Sequence, residues 1–446
     1  MGQYFGTDGV RGIANAELTP ELAVGIGRAL VRTLREEGTS RARVLIGRDP
    51  RASGEMLGAA LTAGICSAGG DALQLGILPT PGVAYLCDAL DADAGVMISA
   101  SHNPVQDNGI KIFGPNGFKL KDEEEDRLEE LLQIFDEDRP VGVDIGRERN
   151  IAGAVEVYQT HVIRAADGTD LSGLHVVVDC ANGSASQIAP AVLRRLGATV
   201  TAVGAVPDGT NINHRVGSTH PEHLVERVAQ NGADVGIAHD GDADRLIACT
   251  SEGKLVDGDH ILAILAAQRK ATVGIDGVVA TVMSNLGFIQ AMERLDIPVH
   301  TTAVGDRYVL EEMLNTGWVL GGEQSGHIIS RDHATTGDGI LSAVLLLSAM
   351  VRQGKSLADL AAVMTSLPQV LINVKGVDKD KLDECTPVWD AVTMAEERLG
   401  RDGRVLLRKS GTEPLVRVMV EADTSERAQA EAEALVKVVR DSLPAV

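Results

Sequence analysis

Val235-Gly236-Ile237-Ala238-His239-Asp240-Gly241-Asp242-Ala243-Asp244-Arg245-Leu246-Ile247-Ala248-Cys249 sets three alternating carboxylates between two apolar runs. Residues 235–238 and 246–249 read as buried strands, each a short apolar run bounded by turn-forming residues. The acidic loop therefore falls at a strand end, where open α/β sheets bind their ligands. Unpaired, the three Asp would repel one another. A divalent cation removes the repulsion, and the small Gly241 and Ala243 leave the backbone room to turn three oxygens toward one point. An EF-hand is excluded, because its sixth and twelfth loop positions need Gly and Glu and hold Arg245 and Ser251. A phosphatase with an Asp nucleophile fits poorly, since Asp244 stands where a hydroxyl residue or valine is usual. A solvated acidic turn is the plain alternative, and the apolar strands on both sides argue against it.

Outward from this loop, strand and helix signals alternate. Towards the N-terminus, 21–34 reads as a helix with Thr19 as N-cap and Pro20 at its first position. Strands are expected at 43–47, 72–75 and 94–98, and a helix at 53–68. Residues 110–113 and 118–120 read as a hairpin around Gly114-Pro115-Asn116-Gly117, followed by an acidic helix over 122–135 whose charge makes a wet face. A polar stretch at 144–150 separates this unit from a second, with strands at 175–178 and 199–203 and a helix at 186–196. A third starts near Asp257, with a helix from His260, a strand at 277–282 and a helix at 286–294. Such alternation argues for mixed or parallel sheets covered by helices. After Leu367-Pro368 the texture changes to strands at 370–374, 405–408 and 415–421 with two helices, the last at 425–443. The fold class expected is α/β: three αβα-sandwich domains with mixed sheets over 1–150, 151–256 and 257–368, and a smaller α+β domain over 369–446.

The chain has 446 residues, too many for one core. Its 44% hydrophobic and 23% charged residues are an ordinary soluble globular composition, and 2% aromatic content leaves few platforms for stacking bases. A net charge of -22 opposes nucleic-acid or anionic-membrane partners, so an anionic substrate must be captured by local basic clusters. Cys66, Cys87, Cys180, Cys249 and Cys385 are far apart, with no metal spacing, and read as reduced thiols of a cytoplasmic protein. The N-terminus lacks a signal-peptide pattern, and the apolar run 340–351 is too short to span a bilayer.

Three further segments carry chemistry. Ser99-Ala100-Ser101-His102-Asn103-Pro104 follows the apolar strand 94–98, so a serine at the strand end is a candidate nucleophile or phosphate carrier. It lacks the Gly-x-Ser-x-Gly elbow of a hydrolase triad. Arg408-Lys409-Ser410-Gly411-Thr412-Glu413-Pro414, with Arg417 beyond, combines hydroxyls, a Gly and cations suited to cradling phosphate. Gly321-Gly322-Glu323-Gln324-Ser325-Gly326-His327 offers short polar groups on a Gly-rich turn, as sugar hydroxyls require.

These segments, in this order and with Gly6-Thr7-Asp8-Gly9-Val10-Arg11-Gly12 at the N-terminus, resemble the α-D-phosphohexomutase superfamily over the whole chain. Gly322-Glu323-Gln324-Ser325-Gly326-His327, with its Gln324, and Arg408-Lys409-Ser410-Gly411-Thr412-Glu413-Pro414 are most like its amino-sugar branch, and the length and Gly305-Asp306-Arg307-Tyr308-Val309 also fit it. The resemblance implies four domains around a central cleft. It implies a phosphoserine at Ser101, and Mg²⁺ held by Asp240, Asp242 and Asp244 with an oxygen of that phosphate. Lys111 and His327 are implied as general acid/base or electrostatic groups, and Arg11 as an active-site arginine. Glu323 and Ser325 would bind the sugar; Arg408, Ser410, Gly411, Thr412 and Arg417 the substrate phosphate. Arg245 adds charge compensation. The implied activity moves a phosphoryl group between O6 and O1 of a hexose through a bisphosphate, supplying amino sugar for cell-wall precursors. Glucosamine or glucose 1,6-bisphosphate would prime Ser101. A mutase of glucose or mannose phosphates is the near alternative, and an inactive homologue serving as a binding partner the distant one. The expected partner is a phosphosugar, with no nucleic acid and no membrane, on a monomer or homodimer.

Overall fold

The structure, a computed structural model, describes residues 4–6, 8–132, 139–410 and 413–445. Four sheets follow one another along the chain. The first has seven strands, in the spatial order Phe5–Gly6, Gly9–Ile13, Asp107–Phe113, Ala94–Ile98, Arg43–Arg48, Asp71–Ile77 and Glu148–Asn150. From Ala94–Ile98 onward the strands are parallel, and the pairings before it are antiparallel. The second sheet orders Leu255–Val256, Ile247–Thr250, Val235–Ala238, His175–Asp179 and Thr199–Val203, with Val235–Ala238 parallel to His175–Asp179 and antiparallel to Ile247–Thr250. The third orders Val299–Thr302, Val278–Thr281, Leu320–Gly322 and Ile328–Ser330, and only its last pairing is antiparallel. The fourth is antiparallel, Gln369–Lys375, Leu415–Ala422 and Gly403–Lys409, with helices Thr386–Leu399 and Ser425–Ser442 packed on it. These are three α/β domains with mixed sheets and a small C-terminal α+β domain.

Packing groups them unevenly. One apolar cluster runs from Leu73 and Leu86 through Val176 and Ile188 to Ile261 and Leu347, joining the first three domains. The C-terminal domain keeps a cluster of its own around Val374, Val418 and Leu435. The helix Gly339–Gln353 is buried almost all round, which explains the uncharged run 340–351 within it. Among the described residues no helix is long and apolar enough to cross a membrane. All five cysteines are unpaired; Cys87, Cys180 and Cys249 are buried, and Cys66 and Cys385 half-buried.

Local signals account for much of this. The Thr19 hydroxyl caps Pro20–Glu36 by accepting the Leu22 N–H, and Pro20 sits where no helical N–H is needed. Four differences from the sequence expectation have physical causes. Helix Thr80–Ala89 is hidden in sequence by Pro79 and Pro81, yet Pro81 lies in its first turn, where proline costs nothing. The polar stretch before Ile151 is in part a strand, Glu148–Asn150, whose exposed side chains suit a sheet edge. The turn after Phe113 closes as expected, with Gly114 N–H donating to Phe118 O at 2.8 Å, but the return strand is a single bridge between Phe113 and Lys119. The acidic helix Asp122–Leu132, whose expected end lies outside the described residues, is more than a wet face. Glu129 accepts the Tyr4 and Phe5 N–H groups, and Arg307 pairs with Asp122 and Glu125.

Candidate active site

Ser101 follows strand Ala94–Ile98 and is buried, with a left-handed φ of 51°. A non-glycine residue holds that conformation only where its surroundings impose it. Here they do. The Ser101 N–H donates to Ser99 Oγ, and its carbonyl accepts from Arg51 and Asn213. Arg51 is fully buried and uses all its donors. Nε meets Asp49 at 2.9 Å, and the terminal nitrogens meet the carbonyls of Ser101, Asn103, Pro104 and Asp107. Asp49 also accepts the Ser99 hydroxyl at 2.6 Å. The result aims Ser101 Oγ at Asp240 Oδ2, to which it donates at 2.5 Å.

Asp240, Asp242 and Asp244 are all buried, each with one oxygen within 4.8 Å of the others. Oδ1 of each is buried without a partner. Burial and then repulsion from Asp244 and Asp242 push the Asp240 carboxyl well up. Three converging orphan oxygens are what a hard divalent cation takes, so the donor set fits one. Gly241 is required by proximity: a Cβ there would lie 2.5 Å from Ser101 O. Asp242 is fixed from the first domain, where Thr80 Oγ1 donates to its Oδ2 at 2.5 Å.

Lys111 lies behind the triad, buried, with Nζ 3.0 Å from Asp242, 3.2 Å from Asp8 and 3.8 Å from Asp244. Burial disfavours its charge, but these carboxylates outweigh burial and raise its pKa. His327 Nδ1 is 3.6 Å from Asp244 and Nε2 is 3.6 Å from Asp306, while Nε2 accepts the Gly337 N–H at 3.0 Å. Burial lowers the His327 pKa and the two Asp raise it by more. The Gly337 contact favours the neutral ring with its proton on Nδ1.

In front of these groups is a cleft of about 470 Å³. Arg11, Ser101, His102 and Arg245 line it together with Asp8, Asp244, Asp306, Glu323 and His327. The His102 ring, 3.4 Å from Ser101 Oγ, is held near pKa 4 by burial and the cations Arg245 and Arg11. Glu323 Oε1 accepts the Gly305 N–H at 3.0 Å, and Ser325 Oγ is buried with no partner. The loop carrying them is seated on the acidic loop's exit, where Leu246 N–H donates to Gly326 O.

No C-terminal residue lines this cleft among the described residues. Arg408 and Arg417 face each other across two antiparallel strands. Burial and then Arg417 lower the Arg408 pKa, a like-charge strain that an anion between them would relieve. Ser410 is buried, with Oγ accepting the Glu413 N–H at 3.2 Å. Gly411 and Thr412 lie outside the described residues. Sequence reasoning missed Arg51, Asp49, Thr80, Asn213, Asp8, Lys119 and Asp306. Asp8 and Asp306 sit inside quoted motifs and were open to selection; the others have no local signature.

Phosphohexomutases are the class that this fold and site define, and the chain belongs to the phosphoglucomutase/phosphomannomutase family. It matches the family's α/β/α domain I over residues 2–138, domain II over 156–253, domain III over 257–367 and C-terminal domain over 371–438. A Nocardia farcinica protein named phosphoglucosamine mutase is 53% identical over 98% of this chain and 99% of its own length. A phosphoglucomutase/phosphomannomutase family protein from Burkholderia thailandensis superposes with a TM-score of 0.83 at 24% identity, covering 99% of this chain and 98% of that one. The Aspergillus fumigatus N-acetylphosphoglucosamine mutase, solved with GlcNAc-6P and magnesium, gives 0.70 at 18% identity, covering 98% and 95%.

Proposed function

We propose that the chain interconverts glucosamine 6-phosphate and glucosamine 1-phosphate, in keeping with the name phosphoglucosamine mutase that its Nocardia farcinica relative carries. The observation that carries this is Ser101 Oγ, held 2.5 Å from Asp240 of a buried triad and sharing one cleft with Glu323. The two sugar oxygens lie on opposite sides of the ring, so transfer within one molecule is geometrically poor. A phosphoryl group on Ser101 solves this. Its bond to Ser101 Oγ breaks as a bond to the free sugar hydroxyl forms, giving the 1,6-bisphosphate. The sugar then reorients, and the other phosphoryl group returns to Ser101 as its bond to the sugar breaks. Glucosamine or glucose 1,6-bisphosphate would supply the first phosphate.

Asp240, Asp242 and Asp244 would hold Mg²⁺, which when bound offsets charge on the phosphoryl oxygens. Lys111, pinned among three carboxylates, serves as charge compensation rather than as a base, and Arg11 and Arg245 add positive charge at the cleft wall. His327 lines the cleft, and to accept the hydroxyl proton its Nε2 would give up the Gly337 N–H that it holds at 3.0 Å. Glu323 and the free Ser325 hydroxyl bind ring hydroxyls that exchange places on reorientation. Arg408 and Arg417, with Ser410, Gly411 and Thr412 between them, grip the distant phosphate. The domains are taken as 1–150, 151–256, 257–368 and 369–446. The test is kcat/KM on the 6-phosphates of glucosamine, glucose and mannose with Mg²⁺ present. Glucosamine should be preferred; a stronger preference for glucose or mannose rejects the assignment. Ser101→Ala should lose all turnover, and intact-mass measurement should find phosphate on the wild type alone.

A further inference from the structure

We propose that Asp306 reads the C2 ammonium of the substrate, and so determines the preference for an amino sugar over a neutral hexose. The inference rests on the glucosamine reading above and assigns that preference to one side chain. Among the features that set this chain beside the amino-sugar branch in sequence are Gln324 and the Gly305–Val309 segment, and the structure sends these two in opposite directions. The Gln324 side chain turns out of the cleft, with Nε2 3.4 Å from Asp257, the N-cap of helix Gly258–Thr272. Asp306 turns in and lines the cleft beside Glu323 and His327.

Its position is built rather than incidental. Asp306 opens the helix Asp306–Thr316, where the helix dipole favours a carboxylate. Gly305 before it has φ 137°, a conformation closed to residues with a Cβ, and its N–H is tied to Glu323. Oδ1 accepts the Arg307 N–H at 2.9 Å and Oδ2 meets Lys119 Nζ at 2.6 Å. Burial works against the charge of Asp306, but Lys119 and His327 outweigh it and hold the carboxyl below its usual range. Lys119 divides its charge with Asp8 at 2.5 Å, so it does not neutralise Asp306 alone. The carboxylate has acceptor capacity beyond these two bonds.

The cleft lining mixes the cations Arg11 and Arg245 with the carboxylates Asp8, Asp244, Glu323 and Asp306. Asp8 is committed to Arg11, Lys111 and Lys119, and Asp244 to the acidic triad, so the carboxylates left for the sugar end are Glu323 and Asp306. Neutral hydroxyls need donors and acceptors in pairs, which Glu323 and Ser325 offer. A second carboxylate at that end gains most from a cation, and the amino group of glucosamine phosphate is one. The equilibrium constant fixes the ratio of kcat/KM in the two directions, so the loss on the amino sugar should be the same whichever monophosphate is the substrate.

The experiment compares kcat/KM for glucosamine 6-phosphate and glucose 6-phosphate in wild type and in Asp306→Asn. A charge-assisted hydrogen bond lost to an uncharged isostere should cut the ratio about 10- to 100-fold. Asp306 also faces His327 and Lys119, so some loss on glucose 6-phosphate is expected, and the loss on glucosamine 6-phosphate should exceed it by about tenfold or more. Gln324→Ala should leave the ratio unaltered. An unchanged ratio in Asp306→Asn, or equal loss on both sugars, overturns the assignment and leaves Asp306 as a prop for Lys119. A wild type that prefers glucose 6-phosphate instead rejects the glucosamine reading itself, an outcome visible before any variant is made.

Discussion

Arg51 does not line the cleft, yet it fixes the conformation of a residue that does. Its buried guanidinium collects four carbonyls of the loop after Ala94–Ile98 and neutralises Asp49, which holds Ser99, which in turn holds the Ser101 N–H. A left-handed serine with its hydroxyl on Asp240 is the consequence. Removing one member of such a buried pair strands the other as an unpaired charge, at about 3–5 kcal/mol. We predict that Arg51→Met destabilises the protein by that amount in urea denaturation and slows transfer of phosphate to Ser101. A loss under about 1 kcal/mol, with normal phosphorylation, would show that the loop holds itself. At this scale the sequence was half legible. The triad declared itself because three Asp alternate on one loop, and Ser101 because it ends an apolar strand. Arg51, Thr80 and Asn213 act on residues far away in the chain, so no local pattern marks them.

Between elements, the telling junction joins two helix starts to the C-terminal sheet. Asn285 caps Leu286–Arg294, and its N–H donates to Asp259 in the first turn of Gly258–Thr272 at 2.7 Å. Its amide also reaches Glu421 of the last sheet, a fully buried carboxylate that accepts the Leu286 N–H and Arg404 Nε. Burial, and then Asp257, push Asp259 up to about 7. The unfolded chain would release that proton near pH 4, so between pH 4 and 7 the folded state holds a proton that the unfolded state lacks. The contribution is complete below about pH 4 and is lost as pH rises through 7. Asp259→Asn imitates the protonated acid. It should match wild-type stability at pH 4 and exceed it at pH 8 by on the order of 3 kcal/mol; a difference that stays flat with pH would remove Asp259 as its source. Element signals were readable where they are local: strands 94–98 and 199–203 and helix 286–294 fall where the sequence places them. Helix Thr80–Ala89 was not readable, because its prolines look like breakers until the first turn is located.

Across the whole molecule, one core unites the three α/β domains, and the C-terminal domain, with its separate core, is tied to them by polar contacts such as Glu421 to Leu286. Its opposed Arg408 and Arg417 lie outside the cleft lining. A protein of net charge -22 repels a doubly phosphorylated sugar at long range, so local cations such as this pair would have to supply the capture. A phosphate at each end of the ligand can engage Ser101's surroundings and this arginine pair together only if the last domain swings in over the cleft. The move would also exclude water from a phosphoserine that hydrolysis would waste. The polar junction at Glu421 gives way to rotation more easily than a shared apolar core would. We therefore predict that saturating glucose 1,6-bisphosphate reduces the radius of gyration of Ser101→Ala, which binds without turning over, in small-angle X-ray scattering. The same protein carrying Arg408→Ala and Arg417→Ala should stay expanded and bind the bisphosphate at least tenfold more weakly, since two charge-assisted phosphate contacts are gone. Equal compaction with and without the arginines would mean that the C-terminal domain closes without gripping the phosphate, and the anion would then have to be held by Arg11 and Arg245 within the cleft.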